Sequence, residues 1–272
     1  FNVSKDLAVG AVARRFEAAA IHGLLVGTEK EIEEIALRSD AFEWDLDRPL
    51  VVLAARHESV ALQPGEQIRR EHDVGAWLSA VHSVDQHAAA GMLGRNLVAI
   101  CGATDRPADL ATLVGEKLLS ATRTQFQIGA SGSVAGVQSL PAAYRHARMA
   151  LEFGQQAPGA GSVVAYESMG LFMLLDAIPD RQKLETFVDE TLGPVLALAD
   201  HERDDMLETL RVLLSTRMNI AESSRLLRYH YNTLRYRVRK LEQLLGSFSE
   251  DTELELRIAV ALNILQMWRI SP

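Results

Sequence analysis

The sequence is short of cysteine and of long apolar runs. It contains one Cys among 272 residues, which excludes a disulfide framework or a zinc finger and favours a reducing compartment. No apolar run approaches the roughly 20 residues that a membrane-spanning helix needs, and no basic-then-apolar signal peptide is recognisable. We therefore predict a cytoplasmic protein without a membrane partner. Because the first residue is Phe1 rather than Met, we expect a longer natural chain.

Positive charge is scarce overall but concentrated in one segment. The chain carries 28 Lys and Arg against 36 Asp and Glu, a net charge of −8. Residues 217–240 nevertheless hold seven cations and a single acid, Glu222, so this segment is +6 and the rest of the chain is −14. A compact basic block on an acidic body predicts a local site for a polyanion. The alternative interpretation is a solvated helix face rich in arginine.

The remaining composition is that of a folded protein. With 48% apolar and 24% charged residues, the chain is not expected to be disordered, and its length suits one large or two modest domains. Changes of pattern along the chain predict four parts: an N-terminal helical segment (1–46), an α/β domain (47–157), a mainly helical connector (158–200) and an all-α helix-turn-helix domain (201–272).

Strand-like and helix-like patterns alternate in the α/β part. This alternation predicts helices covering a β-sheet. A helix over 6–27 precedes it, and we expect that helix to pack on the sheet domain rather than form a dimer seam, because its apolar stripe is too short for a coiled coil. The predicted strands are 49–55, 96–101 and 125–130, the predicted helices are 29–39, 65–81, 110–121 and 140–153, and the stripe of the first helix is Val9, Val12, Phe16, Ala20 and Leu24. A loop is predicted over 155–162 and a short strand over 163–166.

The C-terminal part has the pattern of a helix-turn-helix. A helix over 204–216 is followed by a short helix over 220–227 that Asn219 can cap, with Glu222 reaching back. A turn over 228–230 leads into a helix over 231–245, which Gly246 ends. The core stripe of this third helix is Leu234, Val238, Leu241 and Leu245, and a last helix over 252–268, with the stripe Leu254, Ile258, Leu262, Leu265 and Trp268, is expected to pack on the same domain.

The other side of the third helix carries the chemistry of DNA recognition. Asn232, Arg235, Tyr236 and Arg239 share a face opposite the core stripe. Arg can bond guanine bidentately, Asn can do the same with adenine, and Tyr can reach phosphate, so this face suits the major groove. The helix order and the turn length are those of a DNA-binding helix-turn-helix. The alternative is a three-helix packing motif with a solvated arginine face.

Several stretches resemble one family. Asn219-Ile-Ala-Glu-Ser-Ser-Arg-Leu-Leu, His230-Tyr-Asn-Thr-Leu-Arg-Tyr-Arg-Val and Leu241-Glu-Gln-Leu-Leu-Gly are similar to the C-terminal DNA-binding domain of PucR/CdaR-type bacterial transcriptional regulators. The resemblance implies a degenerate GGDEF-like domain over about 48–155, and it includes no N-terminal sensory domain of the kind found in many relatives. Ser224 and Tyr229 depart from the usual pattern. The resemblance also implies that the start of the recognition helix faces DNA with His230, Asn232, Thr233, Arg235, Tyr236 and Arg237.

No enzyme chemistry is expected. Nucleotide cyclase activity needs carboxylates that hold divalent metals beside a glycine-rich turn, but residues 88–96, where such a turn would fall, contain no acid. We therefore predict no catalysis, no cofactor and no metal, although a small-molecule effector is compatible with the same cleft. The spacing of His72, His82 and His87 with Asp73 and Asp85 matches no standard metal site, Cys101 is expected to be a buried inert thiol, and residues 129–136 are expected to connect a strand to a helix.

These patterns predict a DNA-binding protein, and the resemblance implies a sequence-specific transcriptional regulator that acts on a catabolic operon. A single module touches few base pairs, so we expect a homodimer or higher homo-oligomer on double-stranded DNA. The competing interpretation is a ligand-sensing or scaffold protein whose basic helix binds an acidic protein partner. The expected base contacts are Asn232, Arg235 and, as a variable reader, Tyr231, and the expected phosphate contacts are Arg225, Arg228, Thr233, Tyr236 and Arg239.

Overall fold

The predicted fold class is confirmed. The computed structural model describes residues 16–57, 66–156 and 163–270, and the chain separates into two compact units, Phe1–Met169 and Gly170–Pro272. The first unit contains a five-stranded sheet with helices, and the second is built from helices. Among the described residues, no helix combines the length and apolar character needed to span a bilayer.

The sheet of the first unit is mixed. Its strands are β1 (Leu50–His57), β2 (Ala89–Leu93), β3 (Asn96–Gly102), β4 (Phe126–Ala130) and β5 (Val163–Ala165). Their spatial order is β2-β3-β1-β4-β5, and all neighbours are antiparallel except β4 and β5, which are parallel. The central strand is therefore β1, as its unbroken apolar run predicts.

Both faces of the sheet are covered by helices. Alternate residues of β1 point to opposite faces, so Val51 and Leu53 pack under α3 and α4, whereas Leu50 and Val52 pack under α1, α2 and α5. The indole of Trp77 is fully buried on the first face and donates to the Val98 carbonyl at 2.9 Å. The helices are α1 (16–26), α2 (Glu29–Ala36), α3 (Glu66–His82), α4 (Pro107–Thr122) and α5 (Leu140–Gln156).

The first helix packs on the sheet, as expected, with a face that includes Ala20 and Leu24 of the predicted stripe. Ile21 and Leu25 are buried in the same core cluster, whereas Phe16, placed on the apolar stripe by the sequence analysis, is 65% exposed. The buried face therefore includes two residues that the predicted stripe left out. Residues 6–15, including Val9 and Val12, lie outside the described part.

One strand was missed by the sequence analysis. Residues 88–96 were considered only as the place where the glycine-rich turn of a cyclase would fall, but Ala89–Leu93 form β2, and only Gly94 and Arg95 connect it to β3. Gly94 has a φ of +63°, the conformation that a two-residue hairpin turn requires. The two alanines and the glycine of β2 carry little strand propensity, so the pairing with β3 decides the structure here.

The second unit contains six described helices: α6 (Leu171–Asp176), α7 (Arg181–Leu196), α8 (Asp200–Ser215), α9 (Ile220–Leu226), α10 (Tyr231–Leu245) and α11 (Thr252–Ile270). The helix expected over 204–216 thus begins four residues earlier. As expected, α11 packs on this unit, where it contacts α6, α7 and α8 and buries Ile258 and Leu262. Both α6 and α7 pack with later helices of this unit. The boundary near 158 and residues 157–162 of the predicted loop lie outside the described part, and the domain limits stay predictions.

Asp85 joins two segments of the first unit. Its carboxylate accepts two bonds from Nη2 of Arg48, at 2.7 and 2.9 Å, and one from the Gly102 amide at 2.8 Å. Burial by itself raises the pKa of Asp85, but the hydrogen bonds from Arg48 and Gly102 outweigh it and hold that pKa below its ordinary value. The ionised carboxylate is therefore the form that this contact favours.

We expect Asp85→Asn to lower the free energy of unfolding of the first unit by about 2 kcal/mol, because it removes one charge from a partly buried, hydrogen-bonded pair. Since the pKa is lowered in the folded state, the stabilisation is complete above the unfolded pKa and is lost as pH falls through the folded pKa. Urea denaturation at pH 7 and at pH 3 measures both effects.

Asp45→Asn is the matched control, because Asp45 contacts the same arginine, at 3.3 Å from Nε, with a half-exposed side chain. It should cost less than about 0.5 kcal/mol. Equal losses in the two variants would contradict the role given to Asp85.

Candidate nucleic-acid interface

The first two helices of the motif, α8 and α9, pack against each other and against the third helix. Leu210 and Leu213 of α8 are fully buried, and the Asn219 side chain caps α9 by accepting from the Glu222 amide at 3.2 Å. The structure records no returning bond from the Glu222 side chain in this described segment. The turn between α8 and α9 is sharp, with Arg217 and Met218 both at positive φ. The caps and the turn together fix where α9 begins.

Small hydroxyl side chains let α9 approach α8. Ser223 is fully buried and its hydroxyl lies 2.6 Å from that of Thr216. Ser224 is 8% exposed and donates to the Ala221 carbonyl at 2.9 Å, which supplies the partner that a buried serine needs. The sequence analysis singled out Ser224 and missed Ser223.

The third helix, α10, is held by its apolar stripe. Leu234 and Leu241 are fully buried, Val238 is 9% exposed, and Leu245 is half-buried near the end. His230 caps the start of the helix, where its Nδ1 accepts from the Asn232 amide at 3.4 Å. Gly246, with a φ of 101°, caps its end. The predicted stripe and both predicted ends are thus where the sequence analysis expected them.

The face opposite the stripe is open. The four side chains expected to share it, Asn232, Arg235, Tyr236 and Arg239, are all exposed. Tyr236 is 67% exposed, and the guanidinium of Arg235 lies 6.0 Å from the centre of the Tyr231 ring. Among the other predicted site residues, the exposed ones are Arg225, Arg228, His230, Tyr231 and Thr233. Arg228 reaches this position from a turn residue with a φ of 56°.

Arg237 is placed differently from the prediction. Its side chain is only 18% exposed, and Nη2 donates to the Asp205 carboxylate at 2.8 Å. The guanidinium also lies 4.3 Å from the centre of the Tyr229 ring. One helical turn away, Lys240 is bonded to Glu202, which raises the pKa of Lys240 above its ordinary value. Position 237 falls between the core stripe and the open face, and α8 offers carboxylates there.

The pairing with α8 leaves a defined set of free cations. Two of the seven basic residues in 217–240 are bonded to acids of α8. Within the described chain, no carboxylate partner is recorded for the remaining five, and all are exposed: Arg217, Arg225, Arg228, Arg235 and Arg239. An exposed group of unpaired guanidinium groups can bind the phosphates and guanine edges of a nucleic acid.

The acids of α8 are the functional residues that the sequence analysis missed. Glu202 and Asp205 are three residues apart, as are their partners Arg237 and Lys240 on α10. Residues three apart lie on one face of a helix, so the matched spacing of two acids and two bases was a usable signal. The analysis counted charge within 217–240 alone and could not register partners outside that segment.

The remaining candidates from the sequence analysis are three histidines, one cysteine and the stretch 129–136. His82 Nε2 lies 3.2 Å from the Ala88 carbonyl, His87 Nδ1 lies 3.1 Å from the Glu43 carbonyl, and His72 is exposed. Cys101 is buried, and burial raises the pKa of its thiol. No cluster of metal-ligating side chains is found over 16–57, 66–156 and 163–270. Residues 129–136 run from β4 towards α5, the connection expected of them.

Two protein-family models match parts of the chain. The family model of the PucR C-terminal helix-turn-helix domain matches residues 206–264. The model of the GGDEF-like domain matches residues 27–153. The first range contains α9, α10 and every residue predicted to contact DNA, and the second contains the sheet from β1 to β4.

The chain is also similar to individual proteins. The purine catabolism regulatory protein of Bacillus subtilis is 32% identical over 130 residues, which is 47% of this chain and 24% of that protein. The DNA-binding transcriptional activator AdeR of the same organism is 25% identical over 80 residues, 29% of this chain and 19% of that protein. The chain therefore spans a quarter or less of the length of these two relatives. A regulator of polyketide synthase expression from Bifidobacterium adolescentis gives a TM-score of 0.43 at 17% identity, covering 93% of this chain and 92% of that one.

We expect Gly246→Ala to lower the stability of the second unit by about 1–2 kcal/mol, because Gly246 has a φ of 101° and a Cβ there would lie 3.1 Å from the Leu254 side chain. Thermal unfolding followed by circular dichroism measures the change.

Gly75→Ala provides the comparison. Gly75 lies inside α3, and a Cβ there meets nothing within 4 Å, so this substitution should stabilise by about 0.5–1 kcal/mol. A loss of stability at Gly75 as large as that at Gly246 would contradict the conformational explanation.

Proposed function

We propose that the chain is a bacterial transcriptional regulator that binds duplex DNA sequence-specifically and acts in the cytoplasm, because the models of the PucR C-terminal helix-turn-helix domain and of the GGDEF-like domain both match it. The names of its relatives, a purine catabolism regulator and a transcriptional activator, support a role in the control of a catabolic operon. The proposed activity is binding and includes no catalysis, since the β2–β3 hairpin offers no carboxylate for metal-assisted nucleotide chemistry.

The observation that carries the proposal is the open face of α10. A helix seated by Leu234 and Leu241 presents Asn232, Arg235 and Arg239 together to solvent. The major groove of B-DNA admits one α-helix, and residues near the start of that helix reach the base edges. We assign base contacts to Asn232, Arg235 and Tyr231, and phosphate contacts to Arg225, Arg228, Thr233, Tyr236 and Arg239.

The small number of base pairs that one module can contact supports binding as a homodimer or higher homo-oligomer. One helix-turn-helix module reads few base pairs, and tight specific binding generally needs two half-sites about one helical turn apart. A footprint on the preferred DNA should then show two protected half-sites with centres about 10 base pairs apart. A single protected half-site would contradict the dimer.

A selection from random-sequence duplexes with the 272-residue chain tests the function. We expect one sequence to be enriched and to bind more tightly than its scrambled version, since base-edge contacts depend on sequence. The competing function, a basic helix that binds an acidic protein partner, predicts no enrichment and equal, weak binding to both duplexes. Failure to enrich any sequence would overturn the proposal.

Two substitutions on the open face then separate base contacts from phosphate contacts. We expect Arg235→Ala to lose about 1–3 kcal/mol of binding energy on the selected duplex and to relax the preference at one base pair. Arg239→Ala should weaken binding to the selected and scrambled duplexes alike and reduce the salt dependence by about one phosphate contact. Fluorescence anisotropy at several salt concentrations measures both. Equal losses of Arg235→Ala on the two duplexes would refute its role as a base contact.

A further inference from the structure

We infer that Arg237 does not touch DNA but is a positioning residue, which, with Asp205 and Tyr229, sets the direction in which α10 presents its open face. The inference rests on the proposed function, because it concerns how the recognition helix is held for a duplex. It assigns to an α8 carboxylate a role in DNA recognition although that carboxylate has the same sign of charge as DNA.

The contacts of Arg237 reach three parts of the motif. Its own backbone belongs to α10, its Nη2 is bonded to Asp205 of α8 at 2.8 Å, and its guanidinium plane lies over the ring of Tyr229 in the turn that precedes α10. Tyr229 is itself tied to α9, because its amide donates to the Ser224 carbonyl at 2.9 Å. One side chain therefore connects all three helices of the helix-turn-helix.

The environment of Arg237 is unsuited to a phosphate contact. Its Nη1 is buried, and no hydrogen-bond partner for that atom is found in the part of the chain that the structure describes. Release of the guanidinium to a phosphate would break the bond to Asp205 and the contact with the Tyr229 ring together. Two positions along the helix, Arg239 is exposed, and no such contact is recorded for it within the described residues.

The chemistry at this position favours arginine over lysine. A planar guanidinium can bond a carboxylate through one edge while its face lies on an aromatic ring, and an ammonium group offers neither geometry. The neighbouring pair, Lys240 with Glu202, repeats the α10-to-α8 contact one turn further along, and in the described part of the chain no cation–π contact is recorded for it. Of the two pairs, the one nearer the DNA-reading start of α10 is the one built on arginine.

Arg237→Lys separates positioning from phosphate binding, since it keeps the charge and removes the planar guanidinium that bonds Asp205 through Nη2 and lies over the Tyr229 ring. A positioning role predicts about tenfold weaker binding to the selected duplex, comparable to one mismatched base pair. It also predicts little change on the scrambled duplex and an unchanged salt slope, because no phosphate contact is lost. Arg239→Lys is the matched control and should bind both duplexes as the unsubstituted chain does.

Asp205→Asn is expected to change the DNA affinity in opposite directions if the carboxylate acts only as a charge and if it positions α10. If the carboxylate acted only as a negative charge near DNA, its removal would tighten binding to both duplexes. A positioning role predicts weaker binding to the selected duplex, by a factor similar to that of Arg237→Lys, and no further loss when the two are combined, because they break the same contact. Asp200→Asn is the control, because the Asp200 carboxylate lies on the same helix, is 91% exposed and pairs with Arg203 of α8.

Circular dichroism and thermal unfolding establish that each variant is folded. If Arg237→Lys does not fold, Tyr229→Leu replaces it, since it keeps apolar bulk and removes the aromatic face; the same selective loss is expected. The inference is overturned if Arg237→Lys loses affinity equally on both duplexes, if it binds as the unsubstituted chain does, or if Asp205→Asn tightens binding. In those outcomes the unsubstituted chain still binds its selected duplex and the proposed function stands, whereas failure of that chain to bind overturns both.

Discussion

Burial of one stripe of α10 is the constraint on which the interface depends. Leu234 and Leu241 are fully buried, and Val238 nearly so, and each such side chain contributes on the order of 2 kcal/mol when removed from water. The stripe fixes the rotation of α10 about its axis, so the side chains about half a turn around the helix from it must face solvent. The exposed group of Asn232, Arg235 and Arg239 is a direct consequence of where three apolar residues sit.

Ion pairs with α8 constrain the position of α10 in addition to its apolar stripe. The 217–240 segment carries a net +6 on a chain whose total is −8, yet α8 supplies two acids that bond the basic residues at the edge of the open face. The cations left unpaired are the ones that face outward. Acidic residues close to a basic interface therefore divide the basic residues into those that hold the helix and those that are free to bind.

Much of this arrangement could be predicted because it follows local patterns. The α10 stripe, the Asn219 cap and the Gly246 end depend on spacing and on single-residue conformational preferences, which a sequence displays directly. The same holds for β1, whose unbroken apolar run matches its central place in the sheet. The family resemblance added the prediction that the start of α10 faces DNA, and the two matched family models agree with the resemblance itself.

The parts that could not be predicted depend on contacts between distant residues. β2 consists of residues with weak strand preference and exists through its pairing with β3. Arg237 faces inward because Asp205, 32 positions earlier in the chain, lies opposite it. The sharp turns of the motif use Arg217, Met218 and Arg228 at positive φ, where sequence preference would place glycine. In each case tertiary contacts override a local tendency.

Oxidative labelling of tyrosines in the presence and absence of the selected duplex tests the central claim most directly. The chain contains five tyrosines; Tyr231 and Tyr236 are 46% and 67% exposed on α10, whereas Tyr144 and Tyr166 are each 7% exposed and serve as internal references. If the open face of α10 lies in the groove, saturating DNA lowers the labelling of Tyr231 and Tyr236 and leaves the reference tyrosines unchanged. Unchanged labelling of Tyr231 and Tyr236 at saturating DNA would contradict the account.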